Sequence, residues 1–168
     1  PALADKANDP LELIPHVGIE EQATIKLGGE KIDLIHMGHG HCPRDMVINF
    51  PERGILFTGD LVFAGVHGRL KTADIGNLIA ILDQMKDIPC ETVVPGHGQP
   101  ITGLNIGVIE TFKDYLVTLS NQIEELIGNG IKPDRLQEEL EKSWKYYGWA
   151  RPTRLPFCID HVYHDVKW

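Results

Sequence analysis

The stretch HMGHGHCPRDMVINFPERGILFTGDLVF, residues 36–63, combines the signals of a β-hairpin with side chains that bind metal ions. It holds three histidines, three carboxylates and one cysteine. MVINF (46–50) and ILFTG (55–59) are short runs rich in β-branched, aromatic and aliphatic residues, and the PERG segment between them supplies turn residues. The stretch therefore predicts a hairpin that carries candidate metal ligands at both ends.

The sequence on either side extends this hairpin into an alternation of strands and a helix. Upstream, QATIKL (22–27) and KIDLIHM (31–37) alternate polar and apolar residues around a GGE turn, which predicts another hairpin. Downstream, residues 74–86 place apolar side chains at helical spacing, with Asp74 as a candidate N-cap. ETVVPGHG (91–98) then predicts a strand that runs into a glycine-rich loop. This order indicates an α/β fold.

The C-terminal part of the chain has a helical character. Apolar residues recur at helical spacing from about 104 to 126, and GNG at 128–130 predicts the end of this helix. Another helix is predicted for 132–144, with Pro133 in its first turn, and a last short helix follows the two prolines of the tail. No repeat or linker is visible. We therefore expect one domain over residues 1–168, strand-rich at about 20–103 and helical at about 104–168.

Length, charge and cysteine content limit the class of protein. With 168 residues and 42% hydrophobic content, the chain can bury the core of one soluble domain. The formal charge of −8 is spread along the chain, which argues against nucleic acid or a membrane as partner. Three well-separated cysteines do not fit a disulfide framework. A cytoplasmic location is therefore favoured over a periplasmic one, which would require a removed signal peptide.

Three glycine-bounded loops beside apolar strands each carry one candidate metal ligand. These ligands are His41, Asp60 and His97. Imidazole and carboxylate are ligands that zinc takes in sites that stay open for water, and loops at strand ends let separate segments converge on one ion. The sequence therefore predicts a metal site built from these three segments.

The run from about Ala23 to Thr102 resembles the C-terminal half of the metallo-β-lactamase fold, because GHCPRD, FTGD and PGHG follow one another in the order and with the gaps of that superfamily of zinc hydrolases. The resemblance implies half of an αββα sandwich, with a mixed β-sheet covered by helices and a C-terminal helical extension. It also implies that His41 completes a first zinc site, that Asp60 bridges two metals and is catalytic, and that His97 belongs to the second site. Asp45 matches a carboxylate that orients a neighbouring ligand loop by hydrogen bonding.

Two departures from the family pattern concern the ligand set. Cys42 stands where the family usually has Thr, either as a small residue packed beside the site or as an added soft ligand. The H-x-H-x-D-H motif that supplies four further ligands does not occur in this sequence. His39-Gly40-His41 has the H-x-H spacing, but the hairpin and FTGD that follow favour the later histidine loop of the family. The chain therefore resembles half of a metallohydrolase, and we expect the other half on sequence that it lacks.

The remaining histidines and the aromatic cluster have less specific interpretations. His36 is expected to be a buried or edge residue of its strand. His39 and Cys42 are expected at the rim of the site, and His67 either lines the substrate mouth or is a solvated loop histidine. His161 and His164 fit a surface helix terminus better than an adventitious metal site. The aromatic cluster is expected to pack the final helices, or else to form a substrate or partner surface: Trp144, Tyr146, Tyr147 and Trp149.

Two functional hypotheses follow from these observations. In the first, the parent protein is a zinc-dependent hydrolase whose metal-bound hydroxide attacks a small-molecule ester, thioester, lactone or β-lactam. In the second, the chain is a non-catalytic folded fragment or subunit, because three ligands drawn from two sites do not complete a two-metal centre. Its uncovered sheet would then require the missing N-terminal half or a second copy of the chain.

Overall fold

The computed structural model describes residues 18–102 and 106–166. A six-stranded sheet has its strands in the order of the chain. These strands are β1 (Gln22–Leu27), β2 (Glu30–Gly38), β3 (Asp45–Phe50), β4 (Ile55–Phe63), β5 (Thr92–His97) and β6 (Ile101–Thr102). The helices are α1 (Ile75–Met85), α2 (Ile106–Gly128), α3 (Leu136–Ser143) and α4 (Leu155–Val166). Among the described helices, none is long and apolar enough to cross a bilayer.

Both predicted hairpins are confirmed. β1 pairs with β2 and β3 with β4, each antiparallel, and β2 pairs antiparallel with β3. The turn between β3 and β4 needs Gly54, whose φ of 62° lies in the left-handed region that side chains disfavour. β4 continues to Phe63, four residues beyond the predicted run, because Leu61, Val62 and Phe63 are all buried.

A helical crossover makes the sheet mixed, as predicted. β4 and β5 run parallel, and the connection between them contains α1. The side chain of Asp74 accepts a hydrogen bond from the backbone N–H of Asn77, so the predicted N-cap is confirmed. The short strand β6, antiparallel to β5, was not predicted, because two residues are too few to show a periodic pattern.

The helical C-terminal part joins the hydrophobic core mainly through α2. Its fully buried side chains recur at helical spacing and form much of the core: Phe112, Tyr115, Leu116, Leu119 and Ile123. The helix predicted for residues 132–144 is wrong in its first turn, because Pro133–Arg135 form a separate 3₁₀ turn before α3 begins. The final helix follows a second 3₁₀ turn, Pro152–Arg154, and is present as α4.

The two faces of the sheet differ in burial. Val47, Leu56 and Val93 point to the helical side and are fully buried. Because paired residues share a face, Leu34, Ile48 and Phe57 point to the opposite side. Four large apolar side chains of that side are exposed, and we call them the open sheet face: Ile25 (45%), Leu27 (69%), Ile48 (37%) and Phe57 (39%). No described helix covers this face.

Candidate metal-binding site

Asp60 and His97 form a close pair at one end of the sheet. Asp60 lies in β4 and His97 ends β5, and because these strands are parallel neighbours, the two side chains reach the same region. Asp60 Oδ1 and His97 Nε2 are 3.6 Å apart, and the side chains are 40% and 39% exposed. The pair is therefore open to a ligand from solvent.

Glycine at two positions allows this close approach. A Cβ atom built on Gly96 would lie 2.6 Å from the carbonyl carbon of Gly59, and closer still to Asp60 Oδ1. Gly59 itself has a φ of 53°, a backbone conformation that other residues rarely adopt. Glycine at these two positions therefore lets β4 and β5 hold the carboxylate and the imidazole side by side.

The spacing of this pair fits two ligands of one zinc ion. Zinc binds histidine nitrogen and carboxylate oxygen at about 2.0–2.2 Å, which places two tetrahedral ligands about 3.4 Å apart. The 3.6 Å separation of Asp60 Oδ1 and His97 Nε2 is close to this value. The donor atoms and their exposure are therefore compatible with a metal ion that keeps positions free for further ligands.

The loop that carries His41 is organised by Asp45. Asp45 Oδ2 accepts hydrogen bonds from the backbone N–H groups of Gly40, His41 and Cys42, at 3.2, 2.6 and 2.9 Å. Thr72 Oγ1 donates a further hydrogen bond, 3.0 Å long, to the carbonyl oxygen of His41. One carboxylate thus satisfies three successive donors of the loop, which is the geometry that the predicted orienting role requires.

The ring of His41 is held in one orientation from both sides. Its Nε2 lies 2.6 Å from the carbonyl oxygen of Arg69, and its Nδ1 lies 3.3 Å from Cys42 Sγ. Because a carbonyl oxygen only accepts, Nε2 must carry the proton, which leaves Nδ1 as the electron-pair donor of the neutral ring. A backbone carbonyl on the second ring nitrogen is a usual partner of a metal-ligating histidine.

The three predicted ligands do not form one compact cluster in the described part of the chain. The group of ligand atoms that meets within 4.8 Å comprises His41, Cys42 and Asp45. The ring of Phe63 contacts both His41, at 5.8 Å between centroids, and His97, at 5.5 Å. The structure thus presents two partial ligand sets: Asp60 with His97, and His41 with Cys42 and Asp45.

The other predicted site residues divide into surface and interior positions. His39 is exposed, and its Nε2 lies 2.8 Å from the carbonyl oxygen of Thr72, so it stands at the edge of the His41 loop. Cys42 is also exposed beside this loop. His36 is half-buried, with Nδ1 2.9 Å from the carbonyl oxygen of Glu20.

The expectation that His67 lines the substrate mouth or is solvated is wrong. The residue is fully buried, its Nδ1 lies 3.0 Å from the hydroxyl of Tyr115, and its Nε2 donates to the carbonyl oxygen of Tyr147. The rings of Trp144 and Trp149 pack around it, and burial lowers its pKa. The aromatic cluster that the sequence assigned to the final helices therefore encloses this histidine.

Several residues that support the site had no signal in the sequence. Phe63 was expected in the loop after the hairpin, with no role in the site, although its ring contacts both His41 and His97. Arg69 acts through its backbone carbonyl, which no sequence pattern reveals. His161 was expected at a surface helix terminus but is half-buried, with Nε2 2.7 Å from the carbonyl oxygen of Ala73, so it fastens α4 to the segment behind the His41 loop.

Comparison with known proteins identifies related sequences and structures. The family model described as "Metallo-beta-lactamase superfamily" matches residues 4–97. A linear primary-alkylsulfatase of Pseudomonas sp. (strain ATCC 19151) is 24% identical over 68% of this chain and 23% of its own length. A hydroxyacylglutathione hydrolase of Synechococcus sp. (strain JA-3-3Ab) is 35% identical over 48% of this chain and 32% of its own length.

Among solved structures, the sec-alkylsulfatase Pisa1 from Pseudomonas sp. has the same fold, with a TM-score of 0.71 and 18% identity. The match covers 90% of this chain and 26% of that one. The chain thus spans about a quarter to a third of the length of these relatives.

Proposed function

The chain belongs to the metallo-beta-lactamase superfamily, and on this premise we propose that it forms part of the active site of a metal-dependent hydrolase. The observation that carries the proposal is the exposed Asp60–His97 pair, with its 3.6 Å separation between Oδ1 and Nε2. The relatives named as a linear primary-alkylsulfatase and a hydroxyacylglutathione hydrolase support a hydrolase of this superfamily. The proposed substrate is accordingly an ester, thioester, lactone or β-lactam.

The residues of this chain have distinct parts in the proposed site. Asp60, His97 and His41 would hold zinc, and Asp45 keeps the His41 loop in place through its three hydrogen bonds. Zinc, when bound, lowers the pKa of a water molecule toward about 7 and stabilises negative charge on the substrate. The proton on His41 Nε2 is held by the carbonyl oxygen of Arg69, which keeps Nδ1 available as the ligand atom.

The remaining ligands and the second sheet are proposed to come from a complementary N-terminal half. Two observations support this partner. The ligand sets around His41 and around Asp60 are each too small for a complete site among the described residues. The open sheet face exposes apolar side chains that a second layer would bury, as domains of packed layers require.

A non-catalytic role of the isolated chain is the second candidate. The observation in its favour is that His41 stands with Cys42 and Asp45 rather than with the Asp60–His97 pair. In this candidate function, the chain is a folded subunit that binds metal only after association with its other half. The two candidate functions differ in whether the isolated chain binds metal before it associates with its other half.

Metal content and hydrolysis of the purified chain test the proposal. We expect Asp60→Ala to lose most of the zinc that the chain retains after gel filtration, because the substitution removes one of the two close ligand atoms. Asp87→Ala is the matched control, since Asp87 is an exposed carboxylate away from the site.

Cleavage of chromogenic ester, thioester, lactone and β-lactam substrates is then measured with and without an added N-terminal half that carries H-x-H-x-D-H. Hydrolysis that needs both parts and disappears with Asp60→Ala supports the hydrolase. If Asp60→Ala and Asp87→Ala retained equal zinc and had equal activity, the proposed hydrolase site would be overturned. Zinc retention that requires the added N-terminal half, without hydrolysis under any condition, would favour the non-catalytic subunit.

A further inference from the structure

A pocket lies between the segment that follows β4 and the C-terminal helix α4, on the outer side of the His41 loop. Its volume is about 640 Å³. The segment after β4 contributes one wall, and α4 with the turn before it contributes the other. We call it the cationic pocket, and its lining comprises Arg69, Lys71, Arg154, Phe157, Asp160, His161 and His164.

The charge of this pocket is opposite to that of the whole chain. Three permanent cations, Arg69, Lys71 and Arg154, line it together with one carboxylate, Asp160, whereas the chain carries a net charge of −8. In the described part of the chain, none of the three cations forms an ion pair with a carboxylate. Three cations outnumber the single carboxylate of the pocket and repel one another, so this arrangement favours the binding of an anion.

The walls of the pocket are fixed by buried contacts. Cys158 Sγ in α4 donates a 2.9 Å hydrogen bond to the carbonyl oxygen of Gly68, next to Arg69. His161 Nε2 donates to the carbonyl oxygen of Ala73 at 2.7 Å, and its second ring nitrogen is left for the pocket. The backbone that presents Arg69 and Lys71 is therefore held against α4 on both sides, which lowers the entropic cost of binding a ligand between them.

Asp160 reduces the positive potential but does not cancel it. Its Oδ1 lies 3.7 Å from His164 Nε2, so the carboxylate also has an imidazole of the pocket beside it. Arginine guanidinium groups bind carboxylate, sulfate and phosphate through paired N–H donors, and two of the three cations are arginines. The polar part of the expected ligand is therefore an oxyanion.

Phe157 indicates that the ligand also has an apolar part. Its side chain lines the pocket and is 58% exposed, a large aromatic surface left in contact with solvent. The pocket also adjoins the proposed metal site, because the carbonyl oxygen of Arg69 accepts the hydrogen bond from His41 Nε2 while its side chain lines the pocket.

We propose that the cationic pocket binds a small amphipathic anion, with an oxyanion group between Arg69 and Arg154 and an apolar chain against Phe157. The binding requires neither metal nor hydrolysis, so it stands independently of the proposed hydrolase activity. The oxyanion can belong to a carboxylate, a sulfate or a phosphate, since all three present the same paired acceptor oxygens to arginine.

Titration of the chain with octanoate tests the proposal, with octanol and inorganic phosphate as companion probes. Octanoate has no bond for a hydrolase to cleave, octanol has the same apolar chain without the charge, and phosphate has the charge without the chain. Affinity is measured by calorimetry, and the binding position by amide chemical shifts in the ¹⁵N-labelled chain. We expect octanoate to bind more tightly than either companion probe, with shifts around Arg69 and Phe157.

The double variant Arg69→Gln, Arg154→Gln is expected to weaken octanoate binding by about tenfold or more, because it removes both charge-assisted hydrogen-bond donors. Lys26→Gln with Lys132→Gln is the matched control, since it removes the same charge at exposed positions outside the pocket. If the arginine variant loses its fold by circular dichroism, Lys71→Gln serves in its place.

Tighter binding of phosphate than of octanoate would overturn the apolar part of the proposal. Equal octanoate affinity in the arginine and control variants would overturn the site. Shifts confined to the open sheet face would also overturn it, since they would indicate a hydrophobic contact with the uncovered sheet.

Discussion

Gly96 lies in β5 beside the carboxylate of Asp60. We expect Gly96→Ala to reduce zinc retention severalfold and to lower the free energy of unfolding by about 1–3 kcal/mol, because the added methyl group cannot fit between Gly59 and Asp60 without moving one strand end. Zinc analysis after gel filtration and urea denaturation measure the two effects.

Gly148→Ala is the control for this substitution, since a Cβ atom at Gly148 meets no atom within 4 Å. The control is expected to keep both zinc retention and stability. If Gly96→Ala behaved like Gly148→Ala in both measurements, the close packing of β4 against β5 would have no part in positioning the ligand pair.

Single site residues were predictable from sequence to different degrees. Asp60 lies in β4 and His97 ends the neighbouring strand β5, and the FTGD and PGHG motifs were enough to name both as candidate ligands. The orientation of His41 was not predictable, because it depends on the carbonyl oxygen of Arg69, 28 positions away in the chain. His67 was misjudged because its loop has the glycines of a surface turn, while the rings that bury it come from α2 and the segment after α3.

At the scale of elements, a long periodic pattern was the reliable signal. The strands β1 to β4 and the helices α1 and α2 each show several apolar positions, so their type followed from sequence. The turn signals also predicted the pairs β1–β2 and β3–β4, whereas the pairing of β2 with β3 and the packing of the helices were not predicted. β6 and the two 3₁₀ turns contain two or three residues each, and no period can appear over that length. Their positions depend on contacts with β5 and with the helices rather than on local sequence.

The cluster that joins α2 to the aromatic segment after α3 makes stability depend on pH. Nδ1 of His67 accepts the hydroxyl proton of Tyr115, and burial holds the pKa of His67 below its usual value. In the unfolded chain His67 binds a proton near pH 6.5, whereas in the folded chain it stays neutral at this pH. The free energy of unfolding therefore falls as the pH drops through this range. We expect His67→Asn to make the loss of stability between pH 7.5 and 5.5 smaller by about 1 kcal/mol, measured by urea denaturation at both pH values.

His164→Asn is the control for this pH effect, because His164 is exposed on α4. Its difference in stability between the two pH values should match that of the unsubstituted chain. An unchanged pH dependence in His67→Asn would mean that His67 is protonated equally in both states.

At the scale of the whole molecule, the open sheet face is expected to drive self-association of the isolated chain. Phe57 and Ile48 are paired neighbours on this face and are 39% and 37% exposed. We expect the apparent mass in light scattering to rise with protein concentration, and Phe57→Lys to shift this rise to at least about tenfold higher concentration, because it places a charge in the contact.

Thr111→Lys adds the same charge at an exposed position of α2 and is expected to leave the association unchanged. If the chain remained monomeric at all concentrations, or if both lysine variants had the same effect, the open sheet face would not be a contact surface between copies.

The order of the strands in the sheet has a consequence for how the chain acquires its structure. Each strand lies beside the strand that precedes it in the chain, and a single crossover, residues 64–91, separates the parallel pair. Most contacts of the sheet therefore close short loops, whose entropic cost is small, and such topologies fold rapidly. As β1 to β4 leave the ribosome one after another, each strand can pair with the strand before it while synthesis continues.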